Sequence, residues 1–189
     1  MTDDELRRLC REGATLALDS NVVFGRGLLD LADLVNRLNE SDAPELRLVI
    51  PALVHGEHLL QEQETRGGKF QLAKALMTRQ QKNVAVVAYE QSDAEDFATW
   101  MHNQFPTPEA RYGARWTRLL GPSAEPKTTK CPATTDWHIA GQARARRWVC
   151  VTDDGGGEFA GLERKCGSEQ LRRVLSALAP ESRAGQNEG

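Results

Sequence analysis

Four short apolar runs constrain this chain most: Thr15–Asp19 (TLALD), Arg47–Ile50 (RLVI), Val84–Tyr89 (VAVVAY) and Trp148–Thr152 (WVCVT). Each is near-continuous rather than alternating, which predicts strands covered on both faces. Helical patterns separate them. Residues 27–39 place Leu28, Leu31, Leu34, Val35 and Leu38 on one stripe. Pro51 predicts a helix start, where its missing N–H costs nothing, and the helix runs to about Glu64. Residues 69–81, 92–104 and 109–120 also read as helices. Thr134 or Thr135 can cap a helix reaching about Arg147, and 168–179 predicts a closing helix. Strands alternating with helices predict an α/β domain with a mainly parallel sheet. Ligands of such sheets bind beyond the carboxyl ends of the strands.

Two of the strands finish in acid. The first ends at Asp19, followed by Ser20 and Asn21; the last ends in Asp153 and Asp154. Two helices add an acid each. Glu57 follows Leu53 by four residues and precedes Leu60 by three, so it shares their face. Asp136 lines up with Ile139, Ala140 and Ala143. Acids that point inward are costly unless paired or metal-bound. Taken singly, each more often caps a helix, starts a turn or faces water. Taken together they predict an acidic pocket, and a divalent cation relieves its self-repulsion. Hard cations such as Mg²⁺ and Mn²⁺ suit carboxylate and water oxygens.

These segments resemble the PIN-domain ribonucleases, and within them the VapC-like toxin group. Leu18-Asp19-Ser20-Asn21-Val22 is similar to the family's opening strand end. The run from Ile50 and Pro51 to Glu57 resembles its second segment, and Thr135-Asp136 through Ala143 its third. Val149 to Asp154 is similar to the fourth, a strand ending Thr-x-Asp. The match spans residues 15–159. It implies a PIN-like three-layer α/β/α fold and metal-dependent hydrolysis of RNA without a covalent enzyme intermediate. By the same resemblance Asp19, Asp136 and Asp154 ligate one or two Mg²⁺ or Mn²⁺ ions. Glu57 ligates a metal or holds a metal-bound water. Ser20, Asn21 and Thr152 orient the carboxylates by hydrogen bonds. Members of the toxin group usually dimerise and are silenced by a small antitoxin.

The chain departs from the family pattern in two places. Gly155-Gly156-Gly157 intervenes before Glu158-Phe159, so the fourth acid is Asp154, Asp153 or Glu158, with Asp154 favoured. The stretch at about 90–133 is long for a compact member and predicts a lid or a substrate-binding arm.

A net charge of -3 supplies no global field to gather nucleic acid, so RNA would need local basic groups. Arg111, Arg115 and Arg118 recur on one helix face, and Lys127 and Lys130 follow. Arg144, Arg146 and Arg147 end the Asp136 helix. These groups are candidates for phosphate contacts, with Tyr112 and Trp116 as stacking partners for bases. A solvated face with core aromatics is the plainer alternative. His55, His58, His102 and His138 lack zinc-site spacing and read as neighbours of the site or as surface. None of Cys10, Cys131, Cys150 and Cys166 forms C-x-x-C, which predicts reduced thiols, with Cys150 buried in a strand.

The length suits one domain over 1–179, with a polar tail at 180–189. The charged N-terminus has no apolar signal-peptide core, and no run approaches the roughly 18 residues of a membrane span. The expected setting is cytoplasmic. Two rival functions stay open: a catalytically inactive PIN-like RNA-binding or assembly module, and a structure-specific DNA nuclease with the same metal chemistry.

Overall fold

The computed structural model describes residues 1–23, 27–40, 44–64, 83–104, 135–155, 159 and 161–179, with the side chains of 58 and 60–64 outside that description. The predicted helices at 69–81 and 109–120, Cys131, and the tail at 180–189 lie outside the described residues.

Five parallel strands form one sheet among these residues: β1 (Thr15–Leu18), β2 (Arg47–Pro51), β3 (Val84–Val87), β4 (Val149–Val151) and β5 (Lys165–Cys166), in the order β3-β2-β1-β4-β5. Leu16, Ala17 and Leu18 are all buried, as are Val149, Cys150 and Val151. Consecutive strand residues face opposite sides, so both faces of the sheet's centre are covered. The three-layer α/β/α arrangement follows. The order reverses at β1, where the chain first adds β2 and β3 on one side and later β4 and β5 on the other. A crevice at the carboxyl end of such a switch point is where this class of fold binds ligands.

The helices are α1 (Asp3–Arg11), α2 (Ser20–Val23), α3 (Gly27–Asn39), α4 (Ala52–Glu64), α5 (Gln91–Gln104), α6 (Thr135–Ala145) and α7 (Ser168–Leu178). One packed set joins α7 to α1 and α3; another joins α6 to α4 and α5. Helix α1 starts where Thr2 Oγ1 accepts from the Glu5 N–H. Its acids lie in the first turn and its arginines Arg8 and Arg11 in the last, which suits the helix dipole. Leu6, Leu9 and Cys10 are its buried face; each leucine contributes roughly 2 kcal/mol by leaving water. Gly13 then turns the chain into β1 at φ 77°. A Cβ there would stand 2.8 Å from Pro44 Cβ, so glycine is required.

Two expectations need correction. Pro51 does not open α4; it closes β2, opposite Val87, and α4 begins at Ala52. A strand's end tolerates a residue with no N–H to give to the ladder. Strand β3 is not covered on both faces, because Ala85 and Val86 are exposed, as befits its place at the sheet edge. The Asp19 carbonyl accepts from the Val22 and Val23 N–H groups and starts the short helix α2.

Candidate active site

Asp19 stands at the carboxyl end of β1 and is 2% exposed. Its backbone N–H donates to Val151 O at 3.0 Å, which extends the sheet ladder by one residue. The carboxylate is held from both sides. Oδ1 accepts from the Ser20 N–H at 2.7 Å; Oδ2 accepts from Asn21 Nδ2 at 3.0 Å and from the Thr152 hydroxyl at 2.7 Å. A buried carboxylate is tolerable when its lone pairs are filled in this way. Thr152, just past β4, is itself 3% exposed and also accepts from Asn21 Nδ2 at 3.2 Å. The expected orienting roles of Ser20, Asn21 and Thr152 therefore have a geometric basis.

Glu57, on α4, is half-buried. Burial pushes its carboxyl pKa up, and the nearby charges of Asp136 and Asp19 push it further. Hydrogen bonds from the Ser20 and Thr135 side chains pull the other way without cancelling the rise. Three segments far apart in sequence thus meet: 19–20 after β1, Glu57 on α4, and 135–136 at the start of α6. Helices α4 and α6 pack against one another, which brings the last two together.

The β4 end supplies the fourth segment. The Asp154 N–H donates to Thr152 Oγ1 at 3.0 Å, and the Asp153 N–H to Asn21 Oδ1 at 3.2 Å. The Asp153 carboxylate turns away to the N-terminus of α7, where Ser168 N donates at 2.7 Å. Glu158 lies outside the described residues.

Oxygen donors of this kind suit Mg²⁺ or Mn²⁺. Among the described residues, however, no three Asp, Glu, His or Cys side chains are grouped tightly enough to grip an ion between them. Mg²⁺ is commonly held by one or two carboxylates and otherwise by water, a mode that does not require such a cage.

The basic groups separate. Arg111, Arg115, Arg118, Lys127 and Lys130, with Tyr112 and Trp116, lie outside the described residues. Arg146 is committed elsewhere: Nε and Nη2 bind Asp93 at 2.7 Å each, and Nη2 reaches Glu90 at 3.2 Å. Arg144 lies over Trp100, 5.6 Å from the ring centre. Arg146 is also ten residues from Asp136, about 15 Å along a helical path. Arg146 is thus engaged by Asp93 and Glu90, while Arg144 and Arg147 are exposed.

Asp93 is what the sequence reading missed. It is 2% exposed, on the first turn of α5. It accepts from the Glu90 N–H at 2.8 Å, as the acid of a capping box does, and from Gln142 Nε2 at 2.9 Å. Burial alone would raise its pKa, but the Arg146, Glu90 and Gln142 hydrogen bonds outweigh burial and hold it low. The Glu-x-x-Asp spacing at the start of the 92–104 helix is the available signal.

Among the described residues, His55, His102 and His138 are not grouped as ligands, and the His58 side chain lies outside that description. His138 stacks on Phe97, with centroids 3.9 Å apart, and its Nδ1 lies 3.1 Å from the Tyr89 hydroxyl. Burial lowers its pKa. His55 is half-buried and His102 exposed. Cys10, Cys150 and Cys166 are free thiols, and burial pushes Cys10 and Cys166 up to about 12, which leaves them unreactive.

No protein-family model matches the chain, and no curated protein sequence does. Among solved structures, it is similar to VapBC-1 from nontypeable Haemophilus influenzae, at 12% identity and a TM-score of 0.46, over 82% of this chain and 98% of that one. It is also similar to VapBC2 from Rickettsia felis bound to a DNA fragment from their promoter, at 11% identity and a TM-score of 0.43, over 81% and 96% of the two chains. At that level the likeness is one of overall chain course. No described helix is long and apolar enough to cross a membrane.

Proposed function

We propose that this chain is a metal-dependent endoribonuclease that hydrolyses RNA phosphodiester bonds with Mg²⁺ or Mn²⁺ bound among Asp19, Glu57, Asp136 and Asp154. The observation that carries the reading is the Asp19 carboxylate, buried at the carboxyl end of β1 and held by Ser20, Asn21 and Thr152, with Glu57 of α4 near enough to feel the charges of Asp136 and Asp19. Like charges gathered at the carboxyl edge of a parallel sheet are costly to the fold, and a cation offsets that cost.

An ion bound here would supply a water of lowered pKa and positive charge beside the negative charge that grows on the phosphoryl and leaving oxygens. The chain's residues do the rest. Asp19 is pre-oriented by Ser20, Asn21 and Thr152, so little ordering remains when an ion or substrate arrives. Glu57, beside Asp19 and Asp136, would hold a metal ion or a metal-bound water. The Ser20 and Thr135 side chains hydrogen-bond Glu57 and restrict it.

The assay is cleavage of single-stranded RNA with Mn²⁺, with EDTA, and by the Asp19→Asn variant. The reading expects Mn²⁺-dependent cleavage that the variant lacks. Cleavage that persists in EDTA, or full activity in Asp19→Asn, removes it. Flap and single-stranded DNA run alongside separate the DNA nuclease alternative.

A toxin role, a homodimer and an antitoxin partner rest on the family resemblance alone; a small reading frame beside the gene whose product inhibits cleavage would support them. One observation favours a second reading, a PIN-like RNA-binding or assembly module without catalysis: the described carboxylates form no closed cage. RNA binding without Mn²⁺ binding would select it.

A further inference from the structure

Asp153 and Asp154 are adjacent carboxylates, yet their surroundings differ. The Asp153 carboxylate accepts from both the N–H and the hydroxyl of Ser168, the first residue of α7. Gly167, at the N-cap, has no side chain to offer that helix. The cap is supplied instead by an anion from the loop after β4, which also complements the positive end of the helix. Gly167 makes room for it: a Cβ there would stand 3.2 Å from Asp153 Oδ1.

Helix α7 is a firm anchor. Leu171, Val174 and Leu175 are buried, and Gln170 and Arg173 both bind Asp3 on α1. On its other side Asp153 gives its N–H to Asn21, which holds Asp19 Oδ2 and Thr152. The backbone that carries Asp154 is therefore pinned between α7 and the Asp19 network.

We infer that Asp153 is a positioning residue: its clamp on α7 fixes the turn from which Asp154, as the fourth acid, joins Asp19, Glu57 and Asp136. This rests on the metal-site reading above, and its test is built so that the two can fail separately.

Mn²⁺ affinity is measured on the folded full chain, well below its melting temperature. Asp154→Asn is expected to lose binding. Asp153→Ala is expected to weaken it by about 10- to 100-fold, the usual effect of removing an orienting partner. Asp153→Asn keeps an acceptor for the Ser168 N–H and should stay close to the parent. If Asp153→Asn loses as much as Asp154→Asn, Asp153 is itself a ligand and the inference is overturned. Unchanged affinity in Asp153→Ala overturns it too. Amide exchange in metal-free protein supplies the independent arm. Ser168→Ala removes half the clamp, fourteen residues from Asp154 in sequence. It should speed exchange of the Asp154 N–H and leave that of Val151 alone; equal Asp154 rates contradict the clamp. Should the parent bind no Mn²⁺, the metal reading fails, and the exchange rates still decide the positioning claim.

Discussion

The Thr152 hydroxyl donates to Asp19 Oδ2 at 2.7 Å across 133 residues of sequence, and both side chains are almost wholly buried. Through this bond the ends of β1 and β4 share one polar network at the sheet's switch point. Replacing Thr152 with valine keeps the shape and removes the donor. Hydrogen bonds to charged groups contribute about 1.5–3 kcal/mol, and a buried acceptor left short adds to the loss. Urea unfolding of Thr152→Val should show a lower midpoint with an unchanged slope. An unchanged midpoint would mean that the bond is dispensable.

Glu57 carries a stability signature with a definite sign. Its folded-state pKa is raised above the ordinary 4.5, by burial first and then by Asp136 and Asp19. Its contribution is therefore fully present below the unfolded value and is lost as pH rises through the folded one. Glu57→Gln removes that loss. In EDTA the variant should melt above the parent at neutral pH, with the gap closing as pH falls toward 4.5. Parallel melting curves across that window would refute the assigned environment.

Asp93 titrates the opposite way. Burial would raise its pKa, but the bonds from Arg146, Glu90 and Gln142 prevail and hold it low. Its contribution is present above the unfolded value and lost as pH falls through the folded one. Arg146→Met leaves this buried carboxylate without its counter-ion. Removing one partner of a buried pair costs about 3 kcal/mol. Thermal melts at pH 7 should show a large drop, and RNA affinity at a temperature where the variant is folded should not change. A loss of RNA affinity alone would return Arg146 to the substrate path.

The sheet was legible where the chain is covered on both faces. The runs around Leu16–Leu18, Leu48–Ile50 and Val149–Val151 are apolar because every residue is buried, so no alternation was needed to see them. The helix 27–39 was legible from its stripe, and its bounds match. Helix α1 carries its signal in Leu6, Leu9 and Cys10, which stand at helical spacing behind Thr2. Strand β5 had none: two residues, Lys165 and Cys166, carry no period. Site residues at strand ends and on apolar helix faces could be picked out because an acid is out of place there. The division of labour between Asp153 and Asp154 could not, since it depends on Ser168 folding back beside the β4 end. The commitment of Arg146 to Asp93 was hidden for the same reason, being a contact 53 residues apart.

The central claim is tested most directly by the anomalous signal of Mn²⁺ in crystals of the full chain. The account predicts a peak at the carboxyl end of β1, with an Asp19 oxygen in its coordination sphere and the other acids reaching it directly or through water. A well-ordered Asp19 with no peak beside it, or a peak held by residues elsewhere, would contradict the account.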